Sequence, residues 1–362
     1  MCSTHSETAD PLKLIDLGYG PHFQRHFTDL DRDDLLPARV VREDRGRLQI
    51  DDGQGPRSAE PVGRLRRTDG LDWPAVGDWV AAAHLDDGPS LIHAVLPRTS
   101  AFVRGRAGRR DASQCVAANI DTLFIAMALD GDFNLRRLER YLVLARRSGA
   151  EPVVLLTKAD RSLDPEGARE QTRAIATHEA VLILCTLEGR GIDAVQPYLG
   201  RGSTIAIVGS SGVGKSTLVN HLLGHSTMAT AGIRERDEKG RHTTRHRQLV
   251  SLPSGASLID TPGMRELQMW GDEQDVSAGF DDIEALAAQC RFGDCQHDRE
   301  PGCAVQAAIE DGDLDEARFE SFAKLRVEMR RHAERQGTTH ERRRYERGFS
   351  KMVKQAKKLK RR

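Results

Sequence analysis

The order of two short motifs constrains the fold of this chain more than any other feature. Residues 157–160 read TKAD, and residues 209–216, further along the chain, read GSSGVGKS. The second motif has the G-x-x-x-x-G-K-[ST] spacing of a phosphate loop, which joins a buried strand to a helix. Apolar runs precede both motifs, PVVLL before the first and TIAIV before the second. Both are therefore predicted to follow strands of one α/β domain, with the phosphate loop second.

The segment around these motifs alternates apolar runs with helical patterns. DTLFIAMAL is almost continuously apolar, which is typical of a strand buried on both faces of a parallel sheet. LRRLERYLVLARRSG follows, with Leu138, Leu142 and Ala145 at helical spacing and Gly149 as the expected C-cap. This alternation predicts a doubly wound α/β domain over residues 105–280.

The glycines of the phosphate loop allow backbone N–H groups to turn toward phosphate oxygens, and the helix that follows adds its dipole. Lys215 is expected to reach the β- and γ-phosphates as part of the catalytic machinery, and the Ser216 hydroxyl to bind Mg²⁺. The predicted phosphate-binding residues are those of the loop and the one after it, namely Gly209, Ser210, Ser211, Gly212, Val213, Gly214, Lys215, Ser216 and Thr217.

A second phosphate-sensing motif lies downstream, where SLID is followed by TPG. Asp260 is expected to hold the Mg²⁺ shell, and the Gly263 N–H to sense the γ-phosphate. Between the two motifs, GRHTTRH contains adjacent threonines, Thr243 and Thr244. One of them is expected to close on Mg²⁺ and the γ-phosphate as a catalytic switch.

Met264 follows D-T-P-G, at a position where some GTPases use Gln to orient the attacking water. A thioether cannot orient water. Basal hydrolysis is therefore expected to be slow, or another group must act, and His242 beside the two threonines is the candidate catalytic residue. The alternative is that His242 is an ordinary surface residue of a loop.

TKAD resembles the base-reading motif of GTPases. Asp160 can accept hydrogen bonds from the two N–H groups on the edge of guanine, and the Lys158 stem can lie over the base beside Ala159. Thr157 stands where Asn is usual. CTLEGRG, at 185–191, occupies the place of a further base-contact loop and contributes the candidates Cys185 and Thr186. In most GTPases the phosphate loop comes first, so the reversed order indicates a circularly permuted GTPase domain.

Three cysteines and one histidine cluster after this domain, as C-x₄-C-x-H-x₅-C: Cys290, Cys295, His297 and Cys303. Thiolates and imidazole are ligands of closed tetrahedral Zn²⁺ sites, and four protein ligands leave no position for water. The pattern predicts one structural zinc in a helical domain over 281–340, including a long helix from about 313 to 335. The alternative is three buried thiols and a surface histidine.

Short β-branched runs separated by Asp-Gly and Gly-Pro punctuation predict a small barrel over residues 37–104. A five-stranded OB barrel fits this length, and an SH3-like barrel is the alternative. Residues 1–36 are mostly polar and are expected to form a loosely held N-terminal arm. No secretory signal is expected in them, because they contain no apolar h-region.

The chain has no net charge, but residues 341–362 carry eleven Lys and Arg and two Glu. This basic tail on an acidic remainder indicates a polyanionic partner, with RNA favoured over a lipid surface. No apolar run approaches the roughly 20 residues of a membrane span. Six cysteines, half of them in one cluster, suit a reducing cytosol with one metal site.

Taken in order, PAVGDWV, LPRTSAFVR, TKAD, GSSGVGKST, GRHTT, DTPGMRE and the Cys/His cluster closely resemble the RsgA/YjeQ family of small-ribosomal-subunit biogenesis GTPases. The resemblance covers roughly residues 35–335. It implies an OB barrel, a permuted GTPase domain and a zinc-binding domain. It also implies GTP hydrolysis to GDP stimulated by the small ribosomal subunit and its rRNA, and a cytoplasmic monomer acting in late maturation.

Two other classes of function remain open from the sequence. Because Met264 cannot orient water, the chain could be a non-catalytic RNA-binding scaffold that senses GTP. It could also be an ATP-dependent nucleic-acid enzyme, in which case Asp160 would not matter for nucleotide choice.

Overall fold

A computed structural model describes residues 11–63, 65, 70–105, 113–224, 247–260, 279–298 and 300–336. Two units are distinguished along the chain. The first comprises Met1–Arg104 and Gln114–Gln268, and the second Gly105–Ser113 and Met269–Arg362. The predicted barrel and α/β sheet both lie in the first unit, and the Cys/His cluster lies in the second.

The N-terminal strands of the first unit close into a five-stranded barrel. They are β1 (Leu36–Asp44), β2 (Arg47–Asp51), β3 (Pro56–Pro61), β4 (Trp79–Ala83) and β5 (Ser90–Val95). Their order is β1-β2-β3-β5-β4 with β4 returning to β1, and only the β3–β5 pairing is parallel. Alternate residues fill the interior, including Val40, Leu48 and Ile50. The predicted barrel is confirmed, and its strand order is that of an OB fold.

The N-terminal arm is not loosely held over its described part, which corrects the prediction. Two short helices, α1 (Pro11–Asp16) and α2 (Pro21–Thr28), precede the barrel. Leu14 of α1 and Phe23 of α2 are buried against Trp79 and Leu96 of the barrel. The polar composition of the segment hides this contact, because only one face of each short helix is apolar.

Arg39 of β1 is 1% exposed and lies where the N-terminal helices, the barrel and the α/β sheet meet. Its guanidinium donates to the carbonyl oxygens of Leu17, of Gly77 at 3.2 Å and of Asn119 at 3.3 Å, and to Thr204 Oγ1 at 2.8 Å. The same group lies 5.8 Å from the centre of the Trp79 ring. One buried cation therefore joins three parts of the unit.

The α/β part begins after β6 (Ala101–Gly105) and β7 (Ser113–Ala118), which pair with each other. Its elements, in chain order, are β8 (Thr122–Ala128), α3 (Leu135–Ser148), β9 (Glu151–Thr157), α4 (Pro165–Arg173), β10 (Ala180–Ile183), β11 (Thr204–Val208), α5 (Lys215–Leu222), β12 (Arg247–Ser251) and β13 (Ser257–Asp260). The strand order is β10-β9-β8-β11-β13-β12, with only β12 antiparallel to its neighbour in this part. Every residue of β8 is buried, as its apolar run predicts.

Helix α3 ends at the glycine that the sequence predicts as its C-cap, and it is also capped at its N-terminus. The Asn134 side chain accepts a hydrogen bond from the Arg137 backbone N–H at 3.0 Å, and Gly149 ends the helix at φ +84°. Leu138 and Leu142 are buried on its inner face. A left-handed C-cap is the conformation that glycine adopts without strain.

Strand β12 also pairs with β1 of the barrel, so the two sheets are continuous. Arg42 lies opposite Gln248, and Glu43 opposite Arg247. Arg247 Nη1 lies 2.6 Å from Glu43 Oε2, and both side chains are only 11% exposed. The pairing of β12 with the barrel was not predicted from the sequence.

The described part of the second unit contains α6 (Asp281–Ala287), α7 (Ala304–Glu310) and α8 (Glu316–Gln336). Phe280, Ile283, Val305 and Phe322 are buried. Arg318 lies 4.8 Å from the centre of the Phe280 ring and pairs with Asp282 at 2.6 Å. The predicted long helix is confirmed, a few residues later than expected.

Candidate nucleotide site and metal cluster

The phosphate loop lies between β11 and α5, as its motif requires. Gly209, Gly212 and Gly214 all have positive φ, at 143°, 76° and 101°. A Cβ on Gly209 would lie 2.3 Å from the Ala126 carbonyl oxygen, so the loop fits against β8 only with glycine there. Helix α5 begins at Lys215, directly after the loop.

Lys215 lies across the phosphate loop. Its Nζ donates to the Gly209 carbonyl at 2.7 Å and to the Ser210 carbonyl. Ser216 and Thr217 follow in the first turn of α5 and are partly buried. The loop therefore holds its lysine by backbone oxygens.

TKAD begins at the last residue of β9, next to the phosphate loop. Thr157 is fully buried, and its hydroxyl donates to the Val213 carbonyl at 2.6 Å and lies 3.2 Å from the Met127 carbonyl. The threonine that stands in place of Asn thus joins the base motif to the phosphate loop. Lys158 follows in the left-handed region at φ +56°.

Asp160 is exposed, and one of its carboxylate oxygens is held by the loop after β10. The Cys185 thiol donates to Asp160 Oδ1 at 3.1 Å, and this hydrogen bond is the main reason that the pKa of Asp160 is lowered. The Ala159 N–H donates to the Leu184 carbonyl at 3.2 Å, which fixes the motif on the same strand end. The thiol therefore orients the ionised carboxylate.

Thr186 is 3% exposed and lies between the phosphate loop and α5. Its Oγ1 would lie 3.3 Å from a Cβ on Gly214, and its carbonyl is 2.6 Å from His221 Nε2. The loops after β9, β10 and β11 are therefore brought together at one edge of the sheet.

The sequence did not single out two carboxylates at this edge, Asp130 and Asp132. They lie on the loop between β8 and α3. Asp130 Oδ2 is 2.7 Å from Lys158 Nζ, and Asp132 Oδ2 accepts a hydrogen bond from Ser210 Oγ. The sequence contains a pattern that could have identified them. Asp-Gly-Asp comes soon after a buried strand of a parallel sheet, and ligands bind at the carboxyl ends of such strands.

The predicted switch and catalytic residues His242, Thr243, Thr244 and Gly263 lie outside the described residues, and so does Met264. Asp260 is the last residue of β13, and its backbone pairs with Gln248 of β12.

Cys290, Cys295, His297 and Cys303 come together in the second unit, with their four ligand atoms within 4.8 Å of one another. Cys290 Sγ and Cys303 Sγ are 3.9 Å apart, and each lies 3.5 Å from His297 Nδ1. Burial lowers the pKa of His297, which favours the neutral imidazole that binds metals. The donor set and its spacing fit a tetrahedral metal site.

Comparison with known proteins identifies the family. A model of the RsgA GTPase matches residues 95–270. A protein of Opitutus terrae named small ribosomal subunit biogenesis GTPase RsgA is 46% identical over 88% of this chain and 90% of its own length. The chain belongs to the RsgA GTPase family.

Other RsgA proteins are similarly related. One from Xanthomonas campestris, with the same name, is 49% identical over 84% of this chain and 83% of its own length. One from Lactiplantibacillus plantarum, named RsgA 2, is 48% identical over 81% of this chain and 83% of its own length.

Solved structures confirm the RsgA fold and its circular permutation. YjeQ from Thermotoga maritima gives a TM-score of 0.62 at 24% identity, covering 82% of this chain and 98% of that one. YloQ, described as a circularly permuted GTPase, gives a TM-score of 0.59 at 23% identity, covering 82% of this chain and 96% of that one.

Among the residues that the structure describes, no helix has both the length and the apolar character needed to cross a bilayer.

Proposed function

We propose that this RsgA-family protein binds GTP and hydrolyses it to GDP and phosphate as a factor in the maturation of the small ribosomal subunit. The motif that contains Asp160 lies against the phosphate loop, where the Thr157 hydroxyl donates to Val213 at 2.6 Å. The observation that carries the GTP assignment is the Asp160 carboxylate beside that loop, which the Cys185 thiol holds at 3.1 Å. The ribosomal assignment is supported by the names of relatives that are 46–49% identical over most of the chain.

In this proposal the Asp160 carboxylate accepts hydrogen bonds from the two N–H groups on the guanine edge, and Cys185 holds the carboxylate in position for them. Adenine offers no matching pair of donors, so the same carboxylate selects against ATP. The Lys158 stem covers the base, and backbone N–H groups of residues 209–217 surround the phosphates.

Hydrolysis breaks the bond between the γ-phosphorus and the β–γ bridging oxygen as water attacks the γ-phosphorus. Lys215 is held where its positive charge can stabilise the charge that develops on the phosphate oxygens. Ser216, Asp260 and one of Thr243 and Thr244 would hold Mg²⁺, which neutralises phosphate charge when bound. We assign the orientation of the attacking water to His242.

For the Cys/His cluster we propose one structural Zn²⁺. Three thiolates and an imidazole are the donor set that zinc prefers, and a site with four protein ligands has no place for a catalytic water. When bound, the metal contributes folding free energy to the second unit. The basic tail at 341–362 and the OB barrel are the proposed rRNA-binding parts, in a cytoplasmic monomer.

The test is multiple-turnover GTP hydrolysis by the purified protein, with and without small ribosomal subunits. Large subunits and ATP serve as the matched controls. We expect stimulation by small subunits alone, and loss of the stimulated rate in His242→Ala with GTP binding retained. Equal rates with and without small subunits would contradict the ribosomal role, and GTP binding without any turnover would favour a nucleotide-sensing scaffold.

Nucleotide choice has its own test. Asp160→Asn should bind GTP more weakly and xanthosine triphosphate more tightly than the parent protein, because an amide N–H suits the 2-oxo group of xanthine. Unchanged preference for GTP in this variant would show that Asp160 does not read the base.

A further inference from the structure

The loop between β8 and α3, residues 129–134, lies at the centre of the candidate nucleotide site. Strand β8 is placed between β9, which ends in the base motif, and β11, which leads into the phosphate loop. The chain leaving β8 therefore runs between the two motifs. Its carboxylates contact one motif each.

Asp130 holds Lys158 and at the same time fixes its own loop. Its Oδ2 lies 2.7 Å from Lys158 Nζ, and its Oδ1 accepts the Asp132 backbone N–H at 2.9 Å. The pKa of Asp130 is lowered, chiefly by the hydrogen bond from Lys158. Both side chains of the pair are 22% exposed. With its amine held at one end and its backbone at the other, the Lys158 stem has few conformations left.

Asp132 makes the equivalent contact with the phosphate loop. It accepts from Ser210 Oγ through Oδ2, and its Oδ1 lies 2.9 Å from Arg137 Nη2. Arg137 is itself fixed in the first turn of α3, where its backbone N–H donates to Asn134. The loop is therefore anchored to a helix on one side and to both nucleotide motifs on the other.

We propose that Asp130 and Asp132 are positioning residues for the guanine nucleotide, with Asp130 holding the Lys158 stem over the face of the base and Asp132 holding the start of the phosphate loop. The inference rests on the proposed function as a GTP-binding protein. The expected change in affinity is opposite to that of a simple charge effect. A carboxylate near an anionic ligand would weaken nucleotide binding if it acted only through its charge. A positioning role requires that its removal weakens binding instead.

Asp130→Asn tests the first contact. The Asn carbonyl oxygen retains the hydrogen bond from the Asp132 N–H, while the neutral amide no longer pairs with the Lys158 ammonium. We expect about fivefold weaker binding of both GDP and inosine diphosphate, the size of one partly exposed ion pair. The affinities for the two nucleotides should fall equally, because the Lys158 stem covers the face of the base and does not read the 2-amino group. Asp132→Asn should also weaken the binding of both nucleotides.

Asp51→Asn is the matched control, because Asp51 forms the same type of turn, with Gly53, in the barrel. Nucleotide dissociation constants are measured by calorimetry, and melting of the nucleotide-free protein is measured in parallel. Tighter or unchanged GDP binding in Asp130→Asn would overturn the inference, and so would a fall in the nucleotide-free melting temperature large enough to account for the loss. If the parent protein itself fails to bind GDP, the proposed function fails first.

Discussion

Replacing Arg39 by Met should destabilise the first unit by about 3 kcal/mol. Methionine keeps much of the alkyl volume and removes the charged donors. Burial lowers the pKa of Arg39 from its usual value to about 10, and the nearby Asp121 and Asp78 oppose this lowering. At about 1.4 kcal/mol per pKa unit, removing the buried charge would by itself raise the free energy of unfolding by about 3 kcal/mol.

The lost hydrogen bonds outweigh this gain. The guanidinium donates to three carbonyl oxygens and to the Thr204 hydroxyl, and methionine leaves these acceptors without that donor. At about 1.5 kcal/mol each, the loss is about 6 kcal/mol, twice the gain. The net cost is therefore about 3 kcal/mol.

Urea unfolding followed by tryptophan fluorescence measures this cost, since Trp79 lies beside Arg39. The control is Arg47→Met, the same substitution at an exposed position on β2. Equal or greater stability of Arg39→Met would refute the reasoning, because it would mean that desolvation of the buried charge exceeds the value of its four hydrogen bonds.

Three further predictions concern the candidate sites. Thr157→Val should weaken GDP binding several-fold and Thr157→Ser should restore it, as measured by calorimetry, because only the hydroxyl reaches Val213; equal affinities of the two variants would contradict this. Cys185→Ala should weaken the binding of GDP more than that of inosine diphosphate, which lacks the 2-amino group that Asp160 is proposed to read. Cys185→Ser should retain the preference for GDP, and an equal loss of affinity for both nucleotides in Cys185→Ala would argue against a role in orienting Asp160. Cys303→Ala should reduce bound zinc, measured by mass spectrometry, and lower the helical content of the second unit, while GDP affinity stays unchanged; full zinc occupancy in this variant would show that Cys303 is not a ligand.

The sequence predicted those elements whose pattern is local. The buried run of β8 and the C-cap of α3 lie where their residues indicate. Strand β3 has no local strand signal, because PRSAEP is polar, has a proline at each end and buries only Ala59 and Pro61. It forms by pairing with β2 and β5, and such pairing is a long-range effect that no local propensity carries.

In the candidate site, too, features with a local pattern were predictable and features that depend on long-range contacts were not. The phosphate loop could be placed from its spacing, because its glycines and Lys215 lie within one turn between a strand and a helix. The tie between Thr157 and Val213 could not, because the two residues are 56 positions apart and meet only through sheet order. For the same reason the sequence shows Thr157 only as a departure from the usual Asn, whereas in the structure its hydroxyl joins the two motifs.

The join between β1 and β12 has a consequence for how the first unit opens. Only a short ladder connects the strands there, with longer ladders on both sides. Since side chains alternate between faces, a slip by one residue would turn Arg247 away from Glu43. The strands therefore separate or stay paired, without sliding. A short ladder has few hydrogen bonds to break, so we expect this join to open more readily than the ladders on either side of it, which would release Arg247 while the barrel stays closed.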